Sequence, residues 1–288
     1  IIYRDELLFA GESSQRSAVS GQEERQSQAL VCEPVHNLIH REIVRPSGST
    51  FTSQRASDEQ NSEFLASSDN WFRPVMVQTG PDGALWVCDM YRPVLEHPEW
   101  IPDAWEAKLN IRAGHDMGRI YRVVPSEGPT RPFSPLNQLG TQGLVAALDS
   151  PNGWQRDMVQ QMLLWQADTA AVEPLQHVAT EAVRPTTRLQ ALCTLDGLNA
   201  VSEPLVANAL KDKHPGVRRH AIRIAERFIN TSSELADSIR SLATDDDVQV
   251  RLQVAYTLGE WRDPRSGGDL AKLAMSNRDD HVLVAAAL

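Results

Sequence analysis

The side chains best placed to do chemistry stand at the open end of one short hairpin. Arg73 precedes the apolar run Val75–Gln78, and Asp89, Tyr91 and Arg92 close or follow the run Ala84–Cys88. Pro81-Asp82-Gly83 lies between the runs, and Asp-Gly supplies the positive φ that a tight strand connection needs. Pairing across that turn would gather Arg73, Asp89, Tyr91 and Arg92 at one sheet edge. The string Leu30-Val31-Cys32-Glu33 recurs 56 residues later as Trp86-Val87-Cys88-Asp89, which puts Glu33 and His36 in the matching place. A cluster of Arg, Asp, Glu and His suits an anionic cofactor, a divalent cation or a polyol. The alternative is that Arg73 and Asp89 pair to hold the strands together.

Other residue types offer less. His36 and His40 have metal-ligand spacing for a helix. Here they fall in a strand, where that spacing separates them by roughly 13 Å. His36 is then either a channel base or a hydrogen-bonding structural histidine. Cys32 and Cys88 end equivalent apolar runs and read as buried thiols, with a disulfide between neighbouring sheets as the alternative. The stretch Ser57-Asp58-Glu59-Gln60-Asn61-Ser62-Glu63 lacks the regular oxygen spacing of a calcium loop and reads as a solvated connection. The Trp- and Pro-rich segment 93–114 either caps a channel mouth or packs between domains.

The elements that must position these groups fall into two halves. Residues 1–124 are predicted to be short antiparallel strands, with a second echo of Leu38-Ile39-His40-Arg41 in Arg119-Ile120-Tyr121-Arg122. A unit of about 40–55 residues built from such strands resembles a β-propeller blade, whose inner strands line an axial channel. Residues 125–139 carry Pro125, Pro129, Pro132 and Pro135 and read as a linker. From 140 to 288 the pattern is helical. Segments around Arg156, Arg188, Arg218, Arg251 and Leu283 recur at spacings of 32, 30, 33 and 32 residues. That period predicts a HEAT-like α-solenoid, with the recurring Arg tying one repeat to the next. Arg218, Arg219, Arg223 and Arg227 read as a solvated ladder paired with Glu226 and Asp245–Asp247.

The 288 residues carry a formal charge of −10, with 41% hydrophobic and 23% charged residues. A core can be buried, and the acidic balance argues against nucleic-acid binding. No apolar run approaches the ~18 residues that would span a bilayer. Cysteines at 32, 88 and 193 allow no C-x-x-C or C-x-x-C-H spacing. The sequence reads as an internal fragment of a longer polypeptide.

The strings Val31-Cys32-Glu33-Pro34-Val35-His36-Asn37-Leu38-Ile39-His40-Arg41, Asn70-Trp71-Phe72-Arg73-Pro74, Gly80-Pro81-Asp82-Gly83-Ala84-Leu85-Trp86-Val87-Cys88-Asp89-Met90-Tyr91-Arg92 and Gly118-Arg119-Ile120-Tyr121-Arg122-Val123 occur in order. Over about residues 29–124 the chain resembles the PVC-type haem-binding proteins, also called putative membrane-bound dehydrogenases. The resemblance implies the C-terminal blades of a propeller similar to quinoprotein glucose and sorbosone dehydrogenases, then HEAT-like repeats, then a c-type haem segment outside this chain. It further implies an exported, periplasmic or membrane-associated oxidoreductase that oxidises a sugar or other alcohol with PQQ and calcium and passes electrons to a cytochrome. Arg73, Asp89, Glu33 and His36 would be cofactor contacts at the channel mouth. No catalytic base is carried over, because the early blades are absent. The rival expectation is a non-catalytic propeller and HEAT scaffold that binds a glycan or a protein partner.

Overall fold

A computed structural model describes residues 1–9, 27–127, 131–132 and 135–288, together with the backbone of two short strands, β1 (Gln15–Arg16) and β2 (Glu23–Glu24). Residues 128–130 and 133–134 of the expected linker, Pro129 among them, lie outside the described residues. The chain divides into two compact units. One comprises Ile1–Gln15, Arg25–Arg45 and Thr52–Phe133, and the other Arg16–Glu24, Pro46–Phe51 and Ser134–Leu288.

The first unit holds two antiparallel sheets. In one, β3 (Ser27–Glu33) pairs with β4 (Leu38–Ser47), which pairs with β5 (Thr50–Arg55) and with the short β6 (Leu65–Ala66). Residues 1–3 run along β3, where the Tyr3 N–H donates to the Gln28 carbonyl and Leu30 N–H to the Ile1 carbonyl, each at 2.8 Å. In the other sheet the order is β7 (Pro74–Thr79), β8 (Leu85–Asp89), β9 (Arg119–Val123). Pro74 opens an edge strand, where a missing N–H costs least. Gly83 takes φ +86° in the β7–β8 turn, as the Asp-Gly pair requires.

The duplication seen in the sequence is carried by the pairing itself. In β3–β4 the partners are Leu30↔Arg41, Val31↔His40, Cys32↔Ile39 and Glu33↔Leu38. In β8–β9 they are Trp86↔Arg122, Val87↔Tyr121, Cys88↔Ile120 and Asp89↔Arg119. The two echoed strings are thus the two halves of one repeated ladder. Tyr3, Leu30, Ile39, Val77, Leu85 and Val87 form the buried apolar cluster between these strands. With the two-stranded pair β1–β2 there are three sheets and no closed ring of sheets among the described residues, so the propeller expectation is met only at the level of short antiparallel sheets.

The second unit is helical. After α1 (Asp103–Glu106), which lies in the first unit, come α2 (Thr141–Ala147), α3 (Gly153–Gln166), α4 (Val172–Glu181), α5 (Pro185–Gly197), α6 (Glu203–Ala209), α7 (Pro215–Ala225), α8 (Ser233–Ser241), α9 (Val248–Glu260), α10 (Arg265–Ser276) and α11 (His281–Ala287). Starts are marked as the sequence suggests: Pro185 and Pro215 sit in the first turn, and Asn152, Asp247 and Asp280 cap α3, α9 and α11. Helices α3, α5, α7, α9 and α11 pack in succession as one layer. Their apolar stripes, such as Val217, Ala221, Ile222 and Ile224 of α7, are buried in a continuous core.

The recurring arginine does the same job in each repeat. The Nη1 of Arg156, Arg188, Arg218 and Arg251 donates to the carbonyl six residues earlier, of Ser150, Ala182, Asp212 and Asp245 respectively. Arg188 then reaches forward to Asp212, Arg218 to Asp245 and Arg251 to Asn277. In the fifth copy Leu283 takes the position and is fully buried.

Candidate functional site

The hairpin does bring Arg73 and Asp89 together, but not as an ion pair. Asp89 ends β8 opposite Pro74, with 2% of its surface exposed. Its Oδ1 accepts the backbone N–H groups of Arg73 and Tyr91, each at 2.8 Å. The Arg73 guanidinium points elsewhere. Nε donates to the Arg92 carbonyl at 2.8 Å, Nη1 to those of Pro34 at 2.8 Å and Val35 at 3.2 Å, and Nη2 to that of Pro93 at 3.0 Å. Of five guanidinium N–H donors one is left. Arg73 therefore clamps the β3–β4 turn to the segment after β8, and the expected Arg73–Asp89 side-chain pair is replaced by backbone capping.

The same end is stapled twice more. Asn37 sits at φ +59°, a region Asn tolerates, and its Nδ2 donates to the Phe72 carbonyl at 2.6 Å. Tyr91 is also left-handed at φ +51° and is held from several sides. Its hydroxyl donates to Asp69 at 2.9 Å, the Trp71 ring lies 5.5 Å away, and the Arg119 guanidinium stacks 3.5 Å from its ring centre. A side chain on Gly114, at φ +82°, would come within 2.5 Å of the Tyr91 carbonyl.

Glu33 and His36 stand apart from this clamp. His36 Nδ1 lies 2.9 Å from Glu33 Oε2, and the two side chains are 70% and 46% exposed. Two polar atoms at this strand end are buried without a partner, Asp89 Oδ2 and Arg92 Nη1.

A quinone cofactor bearing carboxylates needs free cationic donors, and calcium needs several converging oxygens. Arg73 has four of its five donors on carbonyls. No group of three or more His, Cys, Asp or Glu among the described residues could hold a metal ion. The Arg73 and Asp89 pair, as it is placed, does not offer the free cation and converging oxygens that PQQ and calcium need.

Two charged groupings were not legible as such. His40 lies between carboxylates, Nδ1 at 2.8 Å from Glu63 and Nε2 at 2.6 Å from Glu42. The Glu63 contact, with Glu42 behind it, raises the His40 pKa above its ordinary value. Arg41 is buried with Ile39 and Ile43 on the core face of β4 and pairs with Asp58 at 2.5 Å and Glu59 at 2.9 Å. The acidic stretch after β5 is solvated at Ser57, Asp58 and residues 60–62, as expected, but Glu59 is buried and Glu63 joins Arg55 as well as His40. The signal was the alternation Ile39-x-Arg41-x-Ile43, which sets a guanidinium on an apolar face and so demands a partner.

The remaining residues resolve simply. All three cysteines are free and half-buried. Trp100 and Trp105 in the 93–114 segment are 77% and 62% exposed, with Lys108 over the Trp105 ring. The basic run on α7 divides: Arg218 belongs to the inter-repeat ladder, whereas Arg223 and Arg227 face Asp196 of the preceding repeat. Glu226 bonds Thr257 and Gln253 instead. No described helix is long and apolar enough to cross a membrane.

Residues 10–127 match a domain of unknown function (DUF7133), and residues 202–288 match HEAT repeats. No curated protein matches the sequence. The ladder from Arg156 and Arg188 continues the HEAT-type arrangement ahead of the matched stretch.

Proposed function

We propose that this chain is a non-catalytic scaffold, whose sheet unit resembles dehydrogenase propeller blades and whose HEAT repeats hold a protein partner. The observation that supports it is the Arg73 clamp. The cation best placed to meet a ligand is committed to four backbone carbonyls, and the Asp89 carboxylate beside it caps two amides. Groups used this way fix loops, and most of their hydrogen-bonding capacity is engaged within the fold. The test is titration of PQQ with calcium into the protein, with dye-linked oxidation of glucose and polyols followed in parallel. The scaffold reading expects neither cofactor uptake nor turnover. Saturable uptake that is lost in Asp89→Asn would overturn it.

A second reading keeps the exported sugar or alcohol oxidoreductase, with electrons passing to a c-type haem outside this chain. One observation favours it: Asp89 Oδ2 and Arg92 Nη1 are buried polar atoms with no partner. Such atoms are costly unless something satisfies them.

A further inference from the structure

Two arginines of the helical unit are each neutralised by a carboxylate of the next repeat. Arg188 and Arg218 each meet a carboxylate of the next repeat through two hydrogen bonds, at 2.6–2.8 Å. Arg219, Arg223 and Arg227 are not treated this way. They recur every four residues along α7 and the turn that continues it, so they share one face. Among the described residues one carboxylate stands against the three: Asp196 lies 3.9 Å from Arg223 and 3.0 Å from Arg227, which also donates to the Asn199 side chain at 3.2 Å. Among the described residues Arg219 meets the Gln249 side-chain oxygen at 3.4 Å and the His220 ring at 3.5 Å, and no carboxylate. Glu226, the nearest other acid in sequence, is turned to α9, where its Oε1 accepts from Thr257 at 2.6 Å. Arg223 and Arg227 keep 48% and 38% of their side-chain surface exposed.

A local excess of positive charge on the stacked helices of a chain with net charge −10 is a site of opposite sign to its surroundings. We propose that this arginine face docks an acidic, extended segment of a protein partner, its carboxylates bonding Arg219 and Arg223. Guanidinium groups spaced along one face match carboxylates presented on a strand-like peptide, and charge-assisted pairs of this kind are the stronger ones. A nucleic acid is the poorer occupant, because a long polyanion laid here would also meet the overall negative field. The inference rests on the scaffold reading and names the surface that reading leaves open.

The test is fluorescence anisotropy with a fluorescein-labelled deca-glutamate peptide at low salt, with a deca-glutamine peptide as the neutral control. Saturable binding is expected for deca-glutamate alone, weakened by about tenfold or more in R219Q/R223Q/R227Q and reduced by added salt. Lys211→Gln with Lys213→Gln, on the neighbouring turn, should leave it unchanged. Should the triple variant lose helix by circular dichroism, Arg219→Glu alone serves, since Arg219 pairs with no carboxylate among the described residues. Equal binding by wild type and the arginine variants would overturn the proposal. So would tighter binding of a ten-residue oligothymidine, or no binding of deca-glutamate at all. None of these outcomes bears on cofactor uptake, which tests the scaffold reading separately.

Discussion

Arg218 in one helical repeat holds Asp245 of the next through two parallel hydrogen bonds, Nε to Oδ2 at 2.8 Å and Nη2 to Oδ1 at 2.6 Å. The pair is largely sheltered, with 16% and 6% of the side chains exposed. Asp245 also accepts the Asp247 N–H, and Arg218 also reaches the carbonyls of Asp212 and Lys213. One pair therefore fixes the turn before each of two helices and the step between repeats.

Removing the guanidinium leaves a sheltered carboxylate unpaired and two carbonyls without donors. Arg218→Ala should destabilise the helical unit by about 3 kcal/mol. Urea unfolding followed by circular dichroism at the helical band reads this directly. A double-mutant cycle with Asp245→Ala should return a favourable coupling, and an additive result would show that the pair is not the connection.

Arg73→Lys tests the clamp on the sheet unit. An ammonium group cannot satisfy four carbonyls arranged around a planar fork, so the variant should lose about 2 kcal/mol despite keeping its charge. Limited proteolysis should show faster cutting near residues 34–35 and 92–93. A variant as stable as the wild type would mean that Arg73 is free for another role.

His40 makes part of the sheet unit's stability pH-dependent. Both ring nitrogens face carboxylates, an arrangement that only the protonated imidazole satisfies. The folded pKa is raised above the ordinary value of about 6.5. The contribution is therefore fully present below that ordinary value and is lost as pH rises through the raised one. The stability gap between wild type and His40→Gln should be widest near pH 5 and narrow steadily at alkaline pH. A gap that grows with pH would contradict this assignment.

Burial pushes the thiol pKa of Cys32 and of Cys193 up. Both should react with a thiol reagent at pH 8 far more slowly in the native protein than after denaturation. Mass spectrometry without reductant should find all three cysteines unlinked.

Periodicity determined more of this protein than chemistry did. The four-residue echoes at 30–33 and 86–89, and at 38–41 and 119–122, come from cross-strand partners that must face one another, so the repeated register is written in residue type. The 30–33-residue recurrence of Arg in the helical half is equally local, because each arginine serves a carbonyl six residues behind it. The hairpin around Gly83 needed only the positive φ that Asp-Gly provides.

What the tertiary structure alone decided is where each charged group spends its hydrogen bonds. Arg73 and Asp89 meet at one strand end, as their spacing implies, but which atoms meet depends on the turns at 34–35 and 92–93, brought there by segments remote in sequence. Glu59 and Glu63 of the acidic stretch become sheltered partners of Arg41 and His40 only once β4 and the chain after β5 fold against each other. Arg219, Arg223 and Arg227, on α7 and the turn after it, stay short of carboxylates because Glu226, beside them in sequence, is drawn to Thr257 of α9. Strand and helix period follow from nearest neighbours along the chain, whereas the pairing of long polar side chains is settled by directions in space that no local pattern encodes.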